Sequence, residues 1–312
     1  MSNSRQYFSL AVCLFTAGAV HHAAADDNLI SGSIDAGIMD IYATETVHSG
    51  SFKISELDWE TKNVPVLRGS LGIEIAPEWQ LKVNGRVGFK GDGKMTDYDW
   101  ISPYYIDTSK SGWSDRSIHP DTGLDHFYSG GIEINRKFVD DPRNTLSGGI
   151  GVKYTDLQWT SRGGSYLYST TGTRDTSGTF TDGEKVITYR QQIPTAYAHI
   201  DGSRKFGRLS IDGGLEGGFA FAAKATDNHW LRDLEFTDEF DFAPTFGASL
   251  GASYTLTPKA SLYLTANYDF TNLGRGDTKT YNTSTGVRNS YDEAAGATLR
   301  TIYVGAGLKG SF

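Results

Sequence analysis

Apolar and polar residues alternate at every second position along much of this chain. From Ile302 onward, Ile302, Val304, Ala306, Leu308, Gly310 and Phe312 stand against Tyr303, Gly305, Gly307, Lys309 and Ser311. A period of two is the mark of a strand with one greasy face and one wet face. The same pattern runs through Leu81 to Phe89, Leu209 to Phe221 and Lys259 to Phe270. The wet sets include Lys82, Arg86, Asp212, Glu216 and Asp269. Charges at such depths are costly against lipid, so they must face a hydrated lumen while the apolar sets face outward.

Turn chemistry sets the strand count. Four short connections fall at 76–79, 140–145, 202–207 and 256–259, and five longer polar ones lie near 44–51, 97–123, 163–184, 225–240 and 273–297. Nine connections join ten strands, an even number that closes as an antiparallel ring. The fold expected is therefore all-β: a ten-stranded antiparallel transmembrane β-barrel whose strands project beyond the bilayer. Short turns face the periplasm and long loops face outside in such barrels.

The N-terminus changes the picture by implying export. Arg5, the apolar run from Tyr7 to Val20 and the small residues Ala23-Ala24-Ala25 read as a cleaved signal peptide over residues 1–25. A lipobox ending at Cys13 fits less well, because Val12 precedes the cysteine and the apolar stretch would be stunted. Residues 26–312 then form a single barrel domain. Cys13 is the one cysteine, so the exported part contains no disulfide. A net charge of −8 argues against a nucleic-acid partner, which would want a basic face. A C-terminal Phe on the final strand resembles outer-membrane barrels generally.

Two polar clusters cap strands that run upward to the same rim. Asp97 and Asp99 cap the third strand, and Asp227 and His229 the seventh. In each pair the spacing is i, i+2, which puts both side chains on one face of extended chain. An Asp beside a His can orient and stabilise an imidazolium, and a facing carboxylate pair can hold and polarise a water. Simple alternation from Val87 and Phe89, however, sends Asp97 and Asp99 outward, and the seventh strand does the same to Asp227 and His229. A bulge would have to reset both faces.

Five segments carry a resemblance: Ser55-Glu56-Leu57-Asp58-Trp59, Asp97-Tyr98-Asp99-Trp100, Trp113 to Thr122, Arg162 to Tyr166, and Asp227-Asn228-His229. Together, and in this order, they resemble the omptins, ten-stranded outer-membrane endopeptidases of Gram-negative bacteria. The resemblance implies that Asp227 and His229 form an Asp-His dyad, with Asp97 and Asp99 as the facing pair. Water activated between them would attack the scissile carbonyl of an extracellular peptide or protein, with no covalent intermediate and no metal. It implies basic residues beside the cut, with Asp40 and Asp115 as substrate-binding acids, although a second pocket acid is replaced by Ala225. It also implies a dependence on lipopolysaccharide, with Gln192 where an arginine is expected. The alternative from a different class is a non-enzymatic barrel, an adhesin or a small pore.

Other motifs carry less. Gly247 to Gly251 matches a nucleophile-elbow string but lies inside an alternating strand. Gly88 to Lys94 lacks the Ser or Thr and the helix of a phosphate loop. Arg275-Gly276-Asp277 is a tripeptide in a polar loop. His119 reads as a surface histidine, Asp58 and Trp59 as groove or wall residues, and Arg162 to Tyr166 as a glycine-permitted turn.

Overall fold

The computed structural model describes residues 29–312; the expected signal peptide and Cys13 lie outside the described residues. Its strands are, in chain order, β1 (Ile30–Ser49), β2 (Phe52–Ala76), β3 (Trp79–Gly88), β4 (Asp92–Asp99), β5 (Asp115–His119), β6 (Asp121–Asp140), β7 (Asn144–Arg162), β8 (Ser165–Tyr168), β9 (Thr176–Thr179), β10 (Lys185–Phe206), β11 (Leu209–His229), β12 (Leu234–Thr257), β13 (Ala260–Asn282) and β14 (Arg288–Ser311). Ten of them close an antiparallel ring in the order β1, β14, β13, β12, β11, β10, β7, β6, β3, β2, with β2 returning to β1. The remaining four, β4, β5, β8 and β9, build a flap of sheet on the upper half of β2.

The outer wall is apolar in a continuous belt. Ile34, Leu71, Val83, Ile150, Leu215, Leu250, Leu264 and Val304 all stand exposed on it, as an outward face toward lipid requires. Inside, at the same level, charges pair: Arg68 with Asp35 and Lys82 with Glu133 between neighbouring strands, and Arg86 with Asp269 across the lumen, each at 2.9 Å. Pairing of this kind offsets the desolvation that an enclosed charge would otherwise suffer.

Higher up, the interior turns apolar. Met39, Ile41, Leu57, Trp59, Met95, Phe127, Leu157, Trp159, Tyr189 and Phe240 are fully buried there and plug the barrel below the rim. Trp59 stacks on Trp159 and Tyr189, with ring centroids 5.8 and 5.4 Å away. The Trp159 indole donates to Thr61 Oγ1 at 2.8 Å, so the polar tip of a large buried ring is satisfied.

Much of what alternation assigns to loops is strand. β1 runs to Ser49, β11 to His229 and β13 to Asn282, so the true connections above are far shorter than the polar stretches suggest. Polar side chains are tolerated there because the sheet has left the bilayer.

The face reset that the sequence requires occurs at three irregularities. On β11 the buried positions are Ala220 and then Ala223, Ala225, Asp227 and His229. The change of parity falls at Ala222, whose φ of 47° is left-handed. On β2, Leu57, Trp59 and Thr61 are buried, then Val64 and Val66, with Asn63 at φ 54° between them. The third is the break at 89–91 between β3 and β4, after which Met95, Asp97 and Asp99 share the inward face. Each irregularity re-aims the side chains beyond it.

Candidate active site

His229 ends β11, and its Nε2–H donates to Asp227 Oδ2 at 2.6 Å. The two are i and i+2 on one face, both buried, beside the aromatic face of Phe236 on β12. The other ring nitrogen, Nδ1, accepts from the guanidinium of Arg232. That residue belongs to the single 3-10 turn Trp230–Arg232 that follows the strand.

Asp97 and Asp99 approach from β4. Asp97 Oδ1 accepts from Ser55 Oγ at 3.3 Å, and by register Asp97 lies between Leu57 and Ser117, Asp99 between Ser55 and Asp115. Burial pushes Asp97 well above the usual carboxylate range, and the neighbouring Asp99 and the facing Asp227 push it further. Burial likewise raises Asp99 to about 6, against the opposing pull of Ser55, Arg232 and His229. Each carboxyl therefore feels the dyad across the gap: the two strand ends form opposite walls of one cleft.

Asp115, buried on β5, already has both oxygens engaged. Ser114 Oγ donates to one and the Ser169 backbone N–H to the other, each at 2.7 Å. Tyr168 on β8 lies close to Asp97 and Asp99, and burial together with those carboxyls pushes its hydroxyl up to about 12.

Asp40 is not brought to this cleft. The inward positions of β1 are Met39 and Ile41, so Asp40 faces out, at a bulge where the register with β2 slips. There its Oδ1 accepts the Asn63 N–H at 2.9 Å. Ala225 is fully buried directly below Asp227.

Two acids that sequence reasoning missed lie under the dyad. Glu45 on β1 is 3% exposed and Asp238 on β12 is 5% exposed. Burial, followed by Asp227, Asp238 and Asp97, raises Glu45 well above its ordinary range. Burial raises Asp238 to about 7. Glu45 is a lone acid between two threonines, and Asp238 is one of four acids from Glu235 to Asp241; both patterns read as solvent-facing until the register is known.

His119 is no surface residue. It is fully buried, its Nδ1–H donates to Gly163 O at 2.5 Å, and its Nε2 takes the Ser117 hydroxyl at 2.9 Å. It holds the turn at Gly163 and Gly164, whose φ values of 50° and 106° suit glycine. Asp58 pairs with Lys110 at the flap edge. Among the described residues, no three His, Cys, Asp or Glu side chains are grouped as a metal ion would need.

A closed ten-stranded barrel with an apolar outer belt, a wet lumen and an acid-histidine cleft at one rim defines an outer-membrane barrel built to work on molecules arriving at that rim. The family model described as the Omptin family matches residues 26–312. Among curated proteins, the plasminogen activator of Yersinia pestis is 29% identical over 262 residues, covering 83% of this chain and 81% of its own. Protease 7 of Escherichia coli O157:H7 is 27% identical, covering 97% of this chain and 98% of its own. The crystal structure of the outer membrane protease OmpT from Escherichia coli matches with a TM-score of 0.85 at 26% identity, over 91% of this chain and 96% of that one. The chain belongs to the omptin family and is an outer-membrane protease.

Proposed function

We propose that residues 26–312 form one endopeptidase domain that cleaves polypeptides outside the cell at or near basic residues, using Asp227, His229, Asp97 and Asp99 as its catalytic groups. The observation that carries this reading is the 2.6 Å His229–Asp227 hydrogen bond facing a carboxyl pair whose ionisation is opposed by burial. Asp227 fixes the ring through Nε2, which leaves Nδ1 as the base once Arg232 has moved off it. Nδ1 takes a proton from a water held between the walls, and the water oxygen attacks the scissile carbonyl. Asp97 and Asp99, sharing protonation, orient that water and can offer a hydrogen bond to the oxygen that gains charge. His229 then returns the proton to the departing amine, so no serine or cysteine is used and no covalent intermediate forms.

The acidic cleft favours a cationic peptide by long-range attraction. Asp115 adds to that field from the flap. With Asp40 on the outer wall and Ala225 at the pocket position, direct pairing to a basic side chain is weaker than two pocket acids would give. Lipopolysaccharide contact is assigned to the outer wall above the belt. There Arg190 is held by Asp156 at 2.5 Å, and Gln192 donates to the Tyr154 hydroxyl at 2.7 Å.

Refolded protein presented with a peptide library, with and without lipopolysaccharide, tests this reading. Cleavage that is lost in Asp97→Ala and His229→Ala supports it, and cleavage that survives both sinks the site. Activity abolished by EDTA and restored by zinc would overturn the metal-free mechanism.

A further inference from the structure

β9 stands at the end of a sheet. The flap runs outward from β2 through β4, β5 and β8 to β9, and β9 pairs with β8 alone. Which of its backbone groups that pairing uses follows from one bond: the Phe180 N–H, just past the strand, donates to Gly164 O at 2.9 Å. In an antiparallel ladder every second residue bonds to the partner strand, and the residues between point their N–H and C=O the other way. Counting back from Phe180, Gly178 and Thr176 bond to β8, whereas Ser177 and Thr179 turn both backbone groups to the free edge. Both of these residues are exposed.

The space beside that edge is where a longer β11 would run. β8 continues β7 upward and β9 continues β10: Arg162 pairs with Lys185, and above them Ser165 pairs with Thr179. β11 accompanies β10 as far as the rung of Ile187 and His229 and ends there. The chain beyond His229 does not rise beside β9. It folds back against β10, where the Trp230 indole donates to Thr188 Oγ1 at 2.8 Å and the Lys185 ammonium lies over its ring. The slot along β9 therefore opens just above the His229 rung. On the other side, one unbroken rung runs from Asp97 through Ser117 and Tyr166 to Gly178, which ties the edge to the facing acids. Thr176-Ser177-Gly178-Thr179 carries no charge and no proline, the residues that usually guard an exposed edge. Its four residues admit one short stretch of extended chain.

We propose that the free edge of β9 is a docking edge for the substrate polypeptide: the chain on one side of the cut lies extended along it as an added strand, bonded to the backbone N–H and C=O of Ser177 and Thr179. The proposal rests on the reading of the cleft as the proteolytic site. Strand addition grips the backbone whatever the sequence and leaves alternate side chains facing the cleft. There they would meet Tyr166 and Tyr168 of β8, whose rings stack with centroids 4.5 Å apart.

The test uses the full-length barrel, refolded, with kcat and KM measured on one cleavable peptide. Proline at an outward position deletes an N–H that faces the edge and none that bonds to β8. Ser177→Pro and Thr179→Pro are each expected to raise KM about three- to tenfold, the range of one backbone hydrogen bond, with kcat within about twofold. Ser177→Ala and Thr179→Ala keep the N–H and should match wild type. Wild-type KM in both proline variants overturns the proposal, and so does an equal loss in the alanine variants. Where proline unfolds the flap, the wild-type protein decides the matter with the same peptide N-methylated at one backbone nitrogen at a time, from the second residue outward on both sides of the cut. Loss confined to alternate residues on one side supports strand addition, and any other pattern overturns it. A second copy seated on the edge would make the refolded protein a dimer that the proline variants separate with KM unchanged, which also overturns it. Asp97→Ala and His229→Ala run alongside: cleavage that survives both sinks the cleft reading itself, whereas loss there with wild-type KM in the proline variants sinks only the edge.

Discussion

Arg232 donates a guanidinium N–H to Nδ1 of His229, the one ring nitrogen left free by the bond to Asp227. A nitrogen lone pair that is already accepting cannot take a proton from water, so the contact describes a resting arrangement. Arg232 is exposed on a single turn and can swing off the ring without disturbing the strands. Arg232→Ala is therefore expected to raise kcat/KM by about two- to tenfold, the worth of one ordinary hydrogen bond. Steady-state kinetics on one peptide decide it, and a fall in kcat would instead assign Arg232 to stabilising the transition state.

Removing the imidazole removes the base. His229→Ala is expected to cut kcat by about a thousandfold or more, as for other Asp-supported histidine bases. Asp227→Asn should come close to it, because an amide cannot support the charged ring. Single-turnover rates on folded protein check both, and a loss of less than tenfold in either speaks against a dyad.

Asp238 makes stability depend on pH in a definite sense. Its folded value of about 7 lies above the ordinary carboxylate range that holds in the unfolded chain. Below about pH 4 the group is protonated in both states and contributes nothing against folding. As pH rises from there through 7, the unfolded chain loses the proton more readily, and the folded state is penalised. Asp238→Asn lacks this penalty. Its melting temperature should exceed wild type at pH 8, with the gap closing by pH 4; a gap independent of pH would contradict the assignment.

The indole of Trp59 anchors the apolar plug beneath the cleft through its stack with Trp159 and Tyr189. Trp59→Ala is expected to destabilise the barrel by about 3–5 kcal/mol, the usual range for a large buried ring. Equilibrium unfolding in denaturant measures it. A change under 1 kcal/mol would mean that the upper barrel collapses to fill the gap.

Ala222 holds the left-handed conformation that turns β11 over. Replacement by Gly is expected to be neutral or stabilising by up to about 1 kcal/mol, and replacement by Val destabilising, since a β-branched residue resists positive φ. Deletion of Ala222 should return Asp227 and His229 to the outer wall and abolish cleavage while leaving a barrel that still folds.

These irregularities mark the boundary of what the chain's pattern makes legible. Period-two alternation from Ile302 to Phe312 or from Leu81 to Phe89 carries strand, face and strand count, because the bilayer imposes a strong contrast on every second residue. The rim lies beyond that contrast. Nothing in the hydropathy around Ala222 or Asn63 marks a left-handed residue, so the inward aim of Asp97, Asp99, Asp227 and His229 is invisible to alternation alone. Their assignment as candidates came from spacing and resemblance. The resemblance implies Asp40 as a pocket acid, whereas Met39 and Ile41 take the inward positions and Asp40 faces out at the register slip between them; neither alternation nor resemblance points to Glu45 or Asp238. His119 looked like a solvent residue because its polar partners, Gly163 O and Ser117, come together only through the flap.

Because the ten strands close on themselves and β4 is hydrogen-bonded along its whole length to ring strand β2, the gap between the wall bearing Asp97 and Asp99 and the wall bearing Asp227 and His229 is tied to a fixed ring. No hinge sets it, and no loop has to fold down to complete it. Adding or losing one hairpin would change the circumference and pull the two halves out of register with a single water, so the number of strands is itself a constraint of the chemistry. Variation that preserves cleavage is thereby confined to what lines the gap, where Ala225 and Glu45 sit, while the ring that sets its width stays unaltered.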